Sequence, residues 1–209
     1  MKKILSLIAI GALAATAQAT TFTFAPTTAD LFDLDHSYAY KWGVDATLSN
    51  TLRSELVSGG KKITSATLTI KNIYDWQVET TDILNINLFD DTKTGIEQIW
   101  DNSNGDYFGS TGWLTSWSDP VGGHATGFNF VYSFSTTNLS LLTSYLVDAT
   151  SANKSAFGLG FDPDCHYYNE GIKLVVTTAP KSVPEGGLTV GLLGLGLVAL
   201  AGVRRRIRS

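Results

Sequence analysis

Apolar and polar residues alternate with a period of two along much of the chain. Ala66, Leu68 and Ile70 alternate with Thr67, Thr69 and Lys71, and Leu84, Ile86 and Leu88 with Asn85 and Asn87. Phe128, Phe130, Tyr132 and Phe134 alternate with Asn129, Val131 and Ser133, and Phe157, Leu159 and Phe161 with Gly158 and Gly160. A last run sets Ile172, Leu174 and Val176 against Lys173, Val175 and Thr177. Successive side chains of an extended chain point to opposite faces, so each run predicts a strand with one buried face. Turn-prone stretches separate the runs, such as Asp101–Asp106 and the Asp-Pro-Val-Gly-Gly of Asp119–Gly123. One segment changes period. Leu139, Leu142 and Leu146 fall at i, i+3 and i+7, which predicts a short helix with Thr137 or Asn138 as N-cap. Many strands and one helical crossover predict an all-β sandwich of jelly-roll type. It spans residues 20–177, and 178–182 form a linker.

The two ends follow other patterns. Met1-Lys2-Lys3 precedes an apolar run from Ile4 to Ala15, then Ala17-Gln18-Ala19. A basic start, a short apolar stretch and small residues at the A-x-A positions predict a signal peptide over 1–19, cut after Ala19 by signal peptidase. The stretch is too short for a retained anchor, which needs about 20 apolar residues. At the other end, Val183-Pro184-Glu185-Gly186-Gly187 precedes an uncharged run over 188–203, then Arg204, Arg205, Arg206 and Arg208. The run predicts a transmembrane helix, short for a hydrocarbon core of about 30 Å. Arginines beyond it keep 204–209 cytoplasmic, which leaves the domain outside. Proline and paired glycines break the helix just outside the membrane and expose the backbone there.

This tail over 183–209 resembles the PEP-CTERM class of sorting signals, in its Val-Pro-Glu-Gly-Gly variant. The likeness rests on Val183–Gly187, the glycine-rich helix through Leu195 and the arginine cluster. It implies an exosortase-type sorting peptidase as partner, and delivery to the envelope surface or an exopolysaccharide matrix. A plain membrane anchor would use the same helix and arginines. The middle of the chain is similar to sandwich domains that often precede such tails. Residues 33–43, 66–73 and above all 161–172 (Phe-Asp-Pro-Asp-Cys-His-Tyr-Tyr-Asn-Glu-Gly-Ile) carry that likeness. It implies architecture and location, not an activity.

Removing both ends changes the charge. Between Thr20 and Ser182 stand nine basic and eighteen acidic residues, a net charge near −9. Nucleic-acid binding needs a basic face, and anionic lipid repels such a domain. Divalent cations and neutral glycans fit it. Cys165 is the sole cysteine, so no internal disulfide forms, and burial alone must hold a core of this size.

Candidate chemistry is sparse. After the strand through Phe161, an extended phase turns Cys165 inward and sets Asp162, Asp164 and His166 on the other face. Two carboxylates there suit Ca²⁺, and His166 adds zinc as an option. A rigid turn with backbone caps accounts for the same residues. Asp33, Asp35 and His36 form a second cluster, which first-to-last strand pairing would bring near Asp162 and Asp164, or which is a solvated edge. The Asp101–Asp106 loop lacks the acid an EF-hand requires twelve places along. Trp113 and Trp117, among glycines and serines, suit either stacking on polysaccharide or capping of the core. No G-x-S-x-G, H-E-x-x-H or P-loop occurs. The expectation is a non-catalytic surface or matrix protein. A carbohydrate-active enzyme and a purely structural envelope component are the alternatives.

Overall fold

The computed structural model describes residues 18–27, 29–78, 82–101, 103, 105–148 and 155–181. The chain divides into compact units at Met1–Ala179 and Pro180–Ser209. Apart from Pro180 and Lys181, the second unit lies outside the described residues, and with it the sorting tail and its predicted span at 188–203. Ala17 also lies outside, whereas Ala19 precedes the first strand. Among the described residues no helix is long and apolar enough to cross a membrane.

Eleven strands are described: β1 (Thr20–Phe24), β2 (Asp33–Leu34), β3 (Tyr38–Gly43), β4 (Lys61–Ile73), β5 (Leu84–Thr92), β6 (Gly95–Trp100), β7 (Trp113–Trp117), β8 (Phe128–Ser133), β9 (Ser155–Pro163), β10 (Tyr167–Tyr168) and β11 (Ile172–Pro180). Two open sheets result, β1-β11-β4-β8 and β6-β3-β9-β5-β7, with a two-stranded ribbon, β10-β2. All five alternating runs are strands in the expected phase. Leu68, Ile70, Leu84, Ile86, Leu88, Phe157, Leu159, Phe161, Leu174 and Val176 are fully buried. The inner faces of both sheets contribute to one core, where Phe24 of β1 and Phe157 of β9 meet edge to face at 5.4 Å. β8 is the edge strand, so its inward residues are less covered: Phe128 is exposed, and Phe130 and Tyr132 are half-buried.

Among the described residues two α-helices are present where one was expected. α1 (Ala46–Val57) links β3 to β4 and α2 (Thr136–Asp148) links β8 to β9, so each carries the chain from one sheet to the other. Asp45 starts α1 by accepting from the Leu48 amide at 2.7 Å. Leu52 and Leu56 of α1 and Leu142 and Leu146 of α2 are buried, and each helix touches strands of both sheets. The cap of α2 is Ser135, not Thr137 or Asn138. Its Oγ accepts from the Asn138 amide at 3.2 Å, and it stands two residues before Thr137 and three before Asn138. At the far end of α2, Arg53 of α1 donates from Nε to the Leu146 carbonyl at 3.0 Å. Carbonyls of a last helical turn lack internal partners, and this guanidinium satisfies them.

Candidate functional site

The segment from Asp162 to Tyr168 distributes its side chains to three places. Asp162 lies on the face of β9 opposite Phe161, as the alternation requires, but that face is covered. The loop 105–112 folds over it. Phe108 packs on Phe89 at 4.9 Å, and the Nζ of Lys41 sits 5.1 Å from the centre of the Phe89 ring. Asn87 donates to the Gly109 and Thr111 carbonyls at 3.1 and 3.0 Å. Asp162, 2% exposed, accepts from the Tyr107 amide at 2.7 Å, and Asp164 accepts from the Gly105 amide at 2.8 Å. The expectation of an outward-facing carboxylate pair is thus corrected: each spends an oxygen on holding the loop down. Among the described residues neither belongs to a trio of ligand atoms lying within 4.8 Å of one another. Burial pushes the Asp162 carboxyl up to about 7, against the Tyr107 amide and with help from Asp101, Asp164 and Asp106. Asp164 is raised for the same reasons, burial first.

The two tryptophans separate. Trp117 is in the core, 9% exposed, its ring 5.3 Å from those of Phe128 and Tyr167. Trp113 is half-exposed at the start of β7.

His166 goes elsewhere. The ribbon sets Asp33 of β2 opposite Tyr168 of β10, so the Asp33 carboxylate contacts His166 Nε2. The clustered acids near the N-terminus therefore meet His166 rather than Asp162 and Asp164. Asp35, His36 and His166 present ligand atoms all within 4.8 Å, a set with the donor types of a divalent-cation site. Burial works to raise Asp35. The Ser37 amide and hydroxyl, then His166 and His36, outweigh it and hold the carboxyl low. Ser37 N donates to it at 2.8 Å.

From His166 a ladder of rings continues. His166 stacks on Tyr168 at 4.9 Å and 10°, and Tyr168 stacks on Tyr74 at 5.6 Å. Trp76 stands edge-on to both tyrosines, and His124 edge-on to Tyr74 at 5.0 Å. The backbone sets this spacing. Tyr74 and Tyr168 exchange N–H···O bonds at 3.0 Å in an isolated antiparallel bridge. All three histidines of the chain converge here, and Trp76 is 63% exposed. The turn after Tyr168 continues into a surface groove of about 420 Å³. Pro26, Phe32, Lys71, Asn129, Glu170 and Lys173 are among its lining residues. Lys71 pairs with Glu170 there at 2.5 Å.

Sequence reasoning missed Tyr74, Trp76 and Tyr168. The available signal was aromatic residues at the polar ends of strands, in Tyr74-Asp75-Trp76 and His166-Tyr167-Tyr168. Comparison with known proteins finds no family model that matches the chain, and no curated protein matches it.

Proposed function

We propose that the chain is an exported cell-surface or exopolysaccharide-matrix protein whose domain contacts polysaccharide without catalysis. The observation that carries this reading is the surface ladder Tyr74, Trp76, Tyr168 and His166, with Trp76 exposed and the other rings half-buried, beside a mostly apolar groove edged by Lys71, Asn129, Glu170 and Lys173. Flat rings take the C–H faces of sugars, and nearby amide, carboxylate and ammonium groups orient the hydroxyls. The ladder replaces Trp113 and Trp117 as the proposed contact surface. A jelly-roll scaffold belongs to the proposal. Its support is the interleaved order of the two sheets, β1-β11-β4-β8 and β6-β3-β9-β5-β7, in which strands distant in sequence lie side by side. The non-catalytic reading is supported at Asp162. Its raised pKa would suit a general acid, but the carboxyl is 2% exposed beneath the loop.

The test is gel retention in a soluble polysaccharide panel with the purified chain. Trp76→Ala and Tyr168→Ala should abolish retention while leaving the melting temperature within a few degrees. Retention that survives in both variants removes the ladder from the proposal.

Export and sorting complete it. Signal peptidase cuts after Ala19, the helix over 188–203 holds the chain in the membrane, and an exosortase-type peptidase processes the tail near Pro184–Gly187. The support is the three-part order of Val183–Gly187, apolar run and arginines. The intact mass of protein from the native host's surface fraction decides this. A C-terminus near Pro184–Gly187 is the expected result. A mass that retains Arg204–Ser209 makes the helix a plain anchor.

A further inference from the structure

Behind the ladder lies a second cluster that the proposed function does not use. Asp75 sits between Tyr74 and Trp76, Asp82 just before β5, and Cys165 between β9 and β10. The two aspartates are 3% and 2% exposed, and Cys165 packs against the core. One carboxylate oxygen from each aspartate and the Cys165 sulfur all lie within 4.8 Å of one another. Cys165 Sγ donates to Asp75 Oδ2 at 3.2 Å. The other oxygen of Asp75 accepts from the Trp76 amide, and the Asp75 amide donates to Asp119 Oδ2 at 2.8 Å. The Asp75 carboxylate is therefore held by the Trp76 amide on one oxygen and by the Cys165 thiol on the other.

An independent observation points to a ligand. The Tyr167 hydroxyl is buried and has no hydrogen-bond partner among the described residues. Phenol oxygens in a core ordinarily find one. Tyr167 is fixed by pairing with Leu34 in the ribbon and by the Trp117 ring at 5.3 Å. Tyr167 stands two residues beyond Cys165 in the chain, and its side chain is fully buried.

We propose that Asp75, Asp82 and Cys165 form a binding site for a zinc-class divalent cation, and that the unpartnered Tyr167 oxygen is its fourth ligand. The donor types select the ion. A thiolate is a soft ligand that Ca²⁺ and Mg²⁺ do not favour, whereas Zn²⁺ and Co²⁺ take sulfur and carboxylate oxygen together. Binding displaces the thiol proton now shared with Asp75, and that proton leaves to solvent. One divalent cation then offsets two of the three negative charges.

Cobalt is the probe, added to the purified full chain after chelation. Cys165 is the sole cysteine, so a thiolate-to-cobalt charge-transfer band in the near ultraviolet reports on this site alone. One equivalent of Co²⁺ should produce the band, and Zn²⁺ should abolish it by displacement. Zn²⁺ should also slow alkylation of Cys165 at least tenfold. Asp82→Asn should weaken Co²⁺ binding at least tenfold and Tyr167→Phe by a smaller factor, while His36→Ala leaves the band unchanged. If Cys165→Ser fails to fold, Asp82→Asn and the alkylation rate still decide. A folded wild-type chain that gives no band overturns the proposal, and so does an alkylation rate indifferent to Zn²⁺.

Discussion

Asp162 shows how a single side chain takes its properties from what lies above it. Its position on β9 is local, but its burial comes from the loop 105–112 that its own carboxylate helps to hold. A carboxyl raised to about 7 on folding binds its proton more tightly in the folded chain than in the unfolded one. Stability therefore falls as pH rises from about 4 to about 7, and the loss is complete above that. Asp162→Asn keeps an oxygen for the Tyr107 amide and removes the charge. At pH 8 it should raise unfolding free energy by up to about 4 kcal/mol, and at pH 4 by almost nothing. Urea titrations at the two pH values measure this, and an equal effect at both pH values would contradict it. The tryptophans give a second contrast at this scale. Trp117→Ala should cost about 3–5 kcal/mol, the range for emptying a buried aromatic site. Trp113→Ala, at a half-exposed position, should stay within about 0.5 kcal/mol.

At the scale of elements, five of the eleven described strands were legible in the sequence, and the helices only in part. A period of two follows from backbone geometry alone, so β4, β5, β9 and β11 could be placed with their buried faces before any partner was known. α1 was not, although Leu48, Leu52 and Leu56 recur every fourth residue after Asp45. Two serines, two threonines and an asparagine take five of its other nine positions, and these residues serve caps and turns as readily as helices. The cap of α2 was misplaced by two or three residues because Ser135, Thr137 and Asn138 are all good cap residues. The amide they reach depends on where the preceding strand ends. Ser135→Ala should destabilise the domain by about 1 kcal/mol, and a Thr137→Ala control by much less. A domain of this size reads that as a fall of about 2–4 °C in melting temperature.

For the whole molecule, charge constrains the partner. A domain near −9 between Thr20 and Ser182 is repelled by acidic polysaccharide at low salt. Ring stacking on neutral sugar carries no such dependence. Retention by a neutral glycan should therefore stay constant between 20 mM and 500 mM salt, roughly 20 Å and 4 Å of screening length. A steep loss with salt would assign binding to Lys71 and Lys173 of the groove rather than to the ladder. By itself the sequence determined five of the described strands and their faces, the leucine stripe of α2, the charge of the domain and the expected order of its ends. These are all properties of neighbours along the chain. Only the tertiary structure decided that loop 105–112 covers Asp162, that Trp117 enters the core, and that Asp33 meets His166. It alone joined Tyr74 to Tyr168, and Asp75 and Asp82 to Cys165. Such meetings depend on strand register and on contacts between segments up to 133 residues apart, and periodicity within one segment carries no information about another.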